Sequence, residues 1–149
     1  MSLPFVEAFA ADPQALRGLR RRVRSELRGL RLQPHDAEIV LLVLDELVSN
    51  AIEHGGAYRT RGKRLQAGLF VDGDDLVLEF VDQDMPAREI AALRRTLAAG
   101  DVDIPDIEDE RGRGLFLVLT SLQSITVDDR TATAEGMLMR GRFVGLSKA

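Results

Sequence analysis

Glu46, Asn50 and His54 follow one another at intervals of four residues. On a helix this spacing drifts only about 40° per step, so the three form one narrow polar stripe. Around them the sequence is largely apolar, with Ile39-Val40-Leu41-Leu42-Val43-Leu44 and Leu47-Val48 interrupted by Asp45 and, later, Glu53. Ile39 and Leu42 lie close to the azimuth of Glu46 and are expected to shield it partly from water. A carboxylate so placed is costly unless a ligand, a metal or a proton transfer uses it. The plainer reading is an amphipathic helix with its wet side out.

Two further features could do chemistry. Leu76, Leu78 and Phe80 alternate onto one face of a strand, and Asp82 continues the series where the strand runs out, so its carboxylate is expected on the core side. It either serves a site or caps the turn into Pro86. Gly112-Arg113-Gly114 precedes the apolar Leu115-Phe116-Leu117. Glycines ahead of a helix let backbone N–H groups approach an anion at its positive end, although a lone pair of glycines also suits an ordinary loop.

These residues must be carried by a small set of elements. Phe5–Phe9 reads as a short strand, and Asp12-Pro13 as the N-cap and first residue of a helix running to about Leu30. On that helix Leu16, Leu19, Val23, Leu27 and Leu30 make the buried stripe, which leaves the arginines the wet circumference. Pro34 opens a second helix that stops at Gly55-Gly56, and Gly56–Lys63 is a polar, basic loop. Leu65–Val71 and Leu76–Asp82 alternate as two antiparallel strands about an Asp72-Gly73-Asp74-Asp75 turn. A helix is expected over Ala87–Ala99, a long loop over Gly100–Arg113, a helix over Leu115–Leu122, and a closing hairpin of Ser124–Asp128 with Met137–Val144.

The whole chain bounds the answer. Its 149 residues, 45% of them hydrophobic and 30% charged, suit one domain, 1–149, with one core. The absence of cysteine excludes disulfides and a thiol nucleophile, and any metal should be a hard, oxygen-bound one. No apolar run approaches a membrane span, and Met1–Phe9 lacks the pattern of a signal peptide, so a cytoplasmic location is the default. A net charge of −4 argues against a whole-surface nucleic-acid binder. Yet Arg17, Arg20, Arg21, Arg22, Arg24, Arg28 and Arg31 crowd one short segment, which is a protein-docking face, a solvated helix face or a nucleic-acid arm.

In order and spacing, Leu44-Asp45-Glu46-Leu47-Val48-Ser49-Asn50-Ala51-Ile52-Glu53-His54-Gly55, Phe80-Val81-Asp82 and Gly112-Arg113-Gly114-Leu115-Phe116-Leu117-Val118 resemble the conserved boxes of an ATP-binding domain. It is the domain shared by gyrase B, histidine kinases and heat-shock chaperones, in the variant of the bacterial anti-sigma-factor serine/threonine kinases. The resemblance covers nearly the whole chain. It implies an α/β two-layer sandwich of the Bergerat type, with a mixed, mostly antiparallel sheet, helices on one face and nucleotide between the layers.

By the same resemblance the cofactors would be ATP and Mg²⁺. Asn50 would coordinate the metal and Glu46 would act as general base toward a serine hydroxyl. Asp82 would accept from the adenine amino group, and Gly112 and Gly114 would wrap the phosphates, with Arg111 or Arg113 steadying their charge. The partners would be a sigma factor and, in competition, a STAS-domain anti-anti-sigma protein that becomes phosphorylated, with homodimer contacts near the first helix. His54 is expected to pack or hydrogen-bond at its helix end. One departure stands out. Where the family has a glycine two residues after the adenine aspartate, this chain has Asp84. The added carboxylate would repel ATP or turn away from it, and a non-catalytic partner-switch adaptor with weak or lost ATP binding is the alternative reading.

Overall fold

The computed structural model describes residues 4–98, 118, 120–133 and 135–144. Strand β1 spans Phe5–Phe9, helix α1 Pro13–Gly29, helix α2 Pro34–His54, strand β2 Leu65–Asp72, strand β3 Asp75–Asp82, helix α3 Ala87–Ala98, strand β4 Ser124–Asp129 and strand β5 Met137–Phe143. The sequence places each of these within a residue or two. Residues 118, 120 and 121 are helical and Leu122 already lies past the helix, while residues 115–117 and 119 of the expected Leu115–Leu122 helix lie outside the described residues.

The five strands form one sheet in the order β1-β2-β3-β5-β4, and every pairing is antiparallel. Register sets the core face. Leu69 stands opposite Leu78, Ala67 opposite Phe80, and Leu65 opposite Asp82. On the other side of β3, Phe80 faces Met139 and Asp82 faces Met137. The apolar side chains of this face join those of the helices in a single cluster, giving a two-layer α/β sandwich.

Helix α1 starts where Asp12 accepts from the Ala15 amide at 2.7 Å, with Pro13 at the first helical position. Its stripe of Leu16, Leu19, Val23 and Leu27 is buried. Burial of four such side chains at about 1.5–3 kcal/mol each outweighs any gain from the arginines opposite them. Those arginines fall into two groups. Arg20 donates to Asp45 of α2 through Nε at 2.9 Å and through a terminal nitrogen at 2.7 Å, Arg22 pairs with Glu7 of β1, and Arg24 reaches Glu38 at 3.5 Å. Arg17, Arg21, Arg28 and Arg31 are exposed. Part of the basic cluster therefore fastens α1 to its neighbours, and part faces outward.

Helix α2 is the centre of the core. Val40, Val43, Leu44 and Val48 are wholly buried, and the helix ends where the Gly55 N–H donates to the Ala51 carbonyl at 2.9 Å. No helix among the described residues is long and apolar enough to cross a membrane.

Candidate functional site

A cavity of about 510 Å³ lies between the helices and the end of the sheet. Helix α2 contributes Asn50, His54, Leu47 and Ala51 to its wall, and α3 contributes Glu89, Ala92, Leu93 and Thr96. Phe80 of β3 and Met137 and Met139 of β5 form its floor, with Tyr58 and Met85 at its edge. Asn50 and His54 face one space because they are one turn apart on a helix whose other faces are held by the core. Such a wall, apolar with a few polar groups, suits a small-molecule ligand.

Glu46, a turn earlier, is half-buried and does not belong to that wall. The shielding expected from its neighbours is incomplete. Ile39 is half-buried, but Leu42 is 44% exposed. The side chain of His54 is 37% exposed and lies 3.9 Å from Glu53.

Asp82 is fully buried, as the alternation of β3 requires. Its oxygens are already engaged. Oδ1 accepts from a terminal nitrogen of Arg59 and, at 3.1 Å, from the Asp84 N–H, while Oδ2 accepts from the other terminal nitrogen of Arg59 at 2.9 Å. The carboxylate thus caps its own turn and forms a two-point ion pair as well. Neither Asp82 nor Arg59 forms part of the cavity wall. A buried carboxylate must be paired and hydrogen-bonded, and this pair satisfies it from within the chain.

Arg59 belongs to the loop that the sequence marks only as polar and basic. The nitrogen that meets Oδ2 also donates to the Ala51 carbonyl at 3.0 Å. The guanidinium lies 5.3 Å from the centre of the Tyr58 ring, and Nε is buried without a partner. A Cβ at position 55 would collide with this guanidinium and with the Ala51 carbonyl, so Gly55 ends the helix and makes room for Arg59. Burial pulls the Arg59 pKa down, but Asp82 outweighs it and the net shift is upward. Tyr58 is pushed up to about 12, first by burial and then by the charge of Asp82.

Asp84, the residue that replaces the expected glycine, turns toward the same loop. It accepts from the Thr60 N–H at 3.0 Å, the Thr60 hydroxyl at 2.9 Å and Arg64 Nε at 3.1 Å. Its side chain is 5% exposed and takes no part in the cavity wall. Burial raises its pKa, but the Thr60 and Arg64 hydrogen bonds outweigh burial and hold it below the ordinary carboxylate value.

Arg111, Gly112, Arg113 and Gly114 lie outside the described residues. Among the described residues no three His, Cys, Asp or Glu side chains cluster as a metal site. The sequence reading missed Arg59, Thr60 and Arg64. The signal for them is indirect: a carboxylate at the core end of β3 needs a cation, and the basic loop leads into Leu65, its partner across the sheet.

The sequence model of the histidine kinase-like ATPase domain matches residues 9–140. The chain belongs to that family. No curated protein matches the sequence. Among solved structures, the RsbU and RsbW domains of Rv1364c from Mycobacterium tuberculosis superpose with a TM-score of 0.68 at 18% identity, over 99% of this chain and 34% of that one. The chain therefore spans about a third of the length of that mycobacterial chain. The SiaB–SiaC complex from Pseudomonas aeruginosa superposes with a TM-score of 0.70 at 13% identity, over 93% of this chain and 87% of that one. At these identities the likeness is one of fold.

The site fits the family's nucleotide in part. Asn50 lines the cavity with a side chain whose amide oxygen is of the type a magnesium ion takes, and the apolar floor suits a base. The carboxylate that would read adenine does not fit, since Arg59 already fills it.

Proposed function

We propose that this chain is an anti-sigma regulator of a partner-switching circuit, a single ATPase domain that acts in the cytoplasm and phosphorylates a serine of a STAS-type anti-anti-sigma protein. The observation that carries the reading is the placement of Asn50 and His54 in the wall of a cavity between helices and sheet, in a chain of the histidine kinase-like ATPase family. The structural neighbours support the choice of circuit, since one pairs an RsbW domain with an RsbU domain and the other is a complex of SiaB with SiaC.

Mg·ATP, when bound, supplies the phosphoryl group. Asn50 would hold the metal through its amide oxygen, and Glu46 would take the proton of the incoming serine hydroxyl. Gly112 and Gly114 would wrap the phosphates, with Arg111 or Arg113 beside them. The phosphate placed on the partner would add charge at the contact surface and release it. The outward arginines of α1, Arg17, Arg21 and Arg28, would offer a docking face to the antagonist or to a sigma factor, and homodimer contacts would lie nearby.

A second reading is favoured by the Asp82–Arg59 pair: a partner-switch adaptor in which nucleotide binding is weak or lost. A phosphotransfer assay with Mg·ATP and the STAS-domain protein that the chain captures separates the two. Transfer that is abolished in Glu46→Ala and in Asn50→Ala supports the kinase. Transfer that survives Glu46→Ala undiminished removes the general-base role, and capture of the partner with no transfer at all supports the adaptor.

A further inference from the structure

Both oxygens of Asp82, which does not line the cavity, are held by a side chain of the same protein that carries the kind of donors an adenine amino group would bring. Four independent contacts hold that side chain in place. The guanidinium meets both oxygens of Asp82, donates to the Ala51 carbonyl, lies beside the Tyr58 ring and occupies the space that Gly55 leaves. The loop that delivers it is fastened by Asp84 through Thr60 and Arg64.

We propose that Arg59 is the specificity-determining residue of this site, with its guanidinium standing on Asp82 in place of the base amino group. Nucleotide then binds weakly and with little preference for adenine. The inference rests on the ATP-binding reading above. A neutral amino group offers one uncharged hydrogen bond, whereas Arg59 offers a two-point, charge-assisted pair between two buried side chains, so the base is at a disadvantage for the same acceptor. The buried, unpartnered Nε is the weak point of the arrangement. It regains hydrogen bonds when the side chain swings out to water, which keeps displacement within reach. Asp84 and Arg59 act together, because the carboxylate in the glycine position anchors the segment that presents the guanidinium.

The test is calorimetric titration of the full chain with Mg·ATP and with Mg·ITP, whose base lacks the amino group. Wild type should bind the two within about threefold of each other, while Arg59→Ala should bind ATP about tenfold more tightly and prefer it to ITP by about tenfold, as expected of a site that hydrogen-bonds its ligand. Because Arg59→Ala leaves Asp82 without its cation and could fold poorly, Asp84→Gly serves as the second variant. It removes the anchor, together with the 3.6 Å ion pair between Asp84 and Arg59, while Asp82 keeps its cation, and it should gain several-fold in ATP affinity. The proposal is overturned if wild type already prefers ATP by about tenfold and neither variant binds it more tightly, a result that leaves the ATP-binding reading intact. Failure of wild type and of both variants to bind either nucleotide overturns both.

Discussion

The backbone N–H of Asp84 donates to Oδ1 of Asp82 at 3.1 Å, and the two carboxylates, two residues apart, are fastened to successive parts of one loop. Asp82 takes Arg59, and Asp84 takes Thr60 and Arg64. The turn after β3 therefore holds the whole segment between α2 and β2, and the Asp84 half of this grip titrates. Its folded pKa is lowered, so its contribution is fully present above the unfolded value of about 3.9 and is lost as pH falls through the folded value. Urea unfolding of wild type and Asp84→Asn across the acid range should show a stability difference of about 1–3 kcal/mol near neutrality that shrinks below about pH 4. A difference that is constant with pH would mean that the carboxylate charge does not fasten the loop.

Tyr58 reports on the other half. It is the sole tyrosine of a chain without tryptophan, so its phenolate absorbance can be followed without interference. Burial and the Asp82 charge push its pKa up to about 12, against about 10 in the unfolded chain. For an acid whose folded pKa is raised, stability is full below the unfolded value and declines as pH rises toward the folded one. Spectrophotometric titration should give one transition near 12 in the native protein and one near 10 in concentrated denaturant. A native transition near 10 would place the ring in open water.

Helices α1 and α2 owe their packing to Leu19, Val23, Val40 and Leu44, all essentially buried, and the Arg20–Asp45 pair adds a lesser, directional clip. Both of its side chains are partly exposed, at 36% and 27%, so solvent screens the charges. Arg20→Ala should cost only about 0.5–1 kcal/mol, measured by chemical denaturation, while Arg21→Ala, an exposed position, should be neutral. Raised salt should shrink the Arg20 effect. A loss several times larger would mean that the aliphatic stem of Arg20, rather than its charge, holds the helices.

What the sequence makes legible follows from the range of the forces involved. The Asp12-Pro13 start of α1, the stripe of α2 and the β2–β3 turn are local patterns, and they appear within a residue or two of their expected places. The burial of Asp82 could also be read, because alternation along one strand decides it. The Arg59–Asp82 pair could not, because it joins residues 23 apart through a loop with no periodicity. Glu46 fell between these cases. Helical geometry put it in line with Asn50, but whether it reaches the cavity depends on where α3 packs, which no spacing within α2 records.

Gly136 shows how closely the sheet is drawn around Asp82. Its φ is +75°, in the region that side chains rarely adopt, and a Cβ there would collide with the Asp82 carbonyl and with the backbone of Gln83. The next residue, Met137, stands opposite Asp82 in the ladder, and the Gly136 carbonyl accepts from the Arg130 N–H at 2.7 Å. An alanine therefore has nowhere to go without moving β5 away from the end of β3, where the buried carboxylate sits. The left-handed backbone alone should cost about 1–3 kcal/mol, and the collision adds to it. Gly56 supplies the contrast, since a Cβ there meets nothing within 4 Å and its φ is not positive. Gly56→Ala should be neutral, or stabilising by about 0.4–1 kcal/mol through the unfolded chain. Urea denaturation of both variants decides the matter: equal stabilities would mean that the approach of β5 to Asp82 is looser than the structure has it.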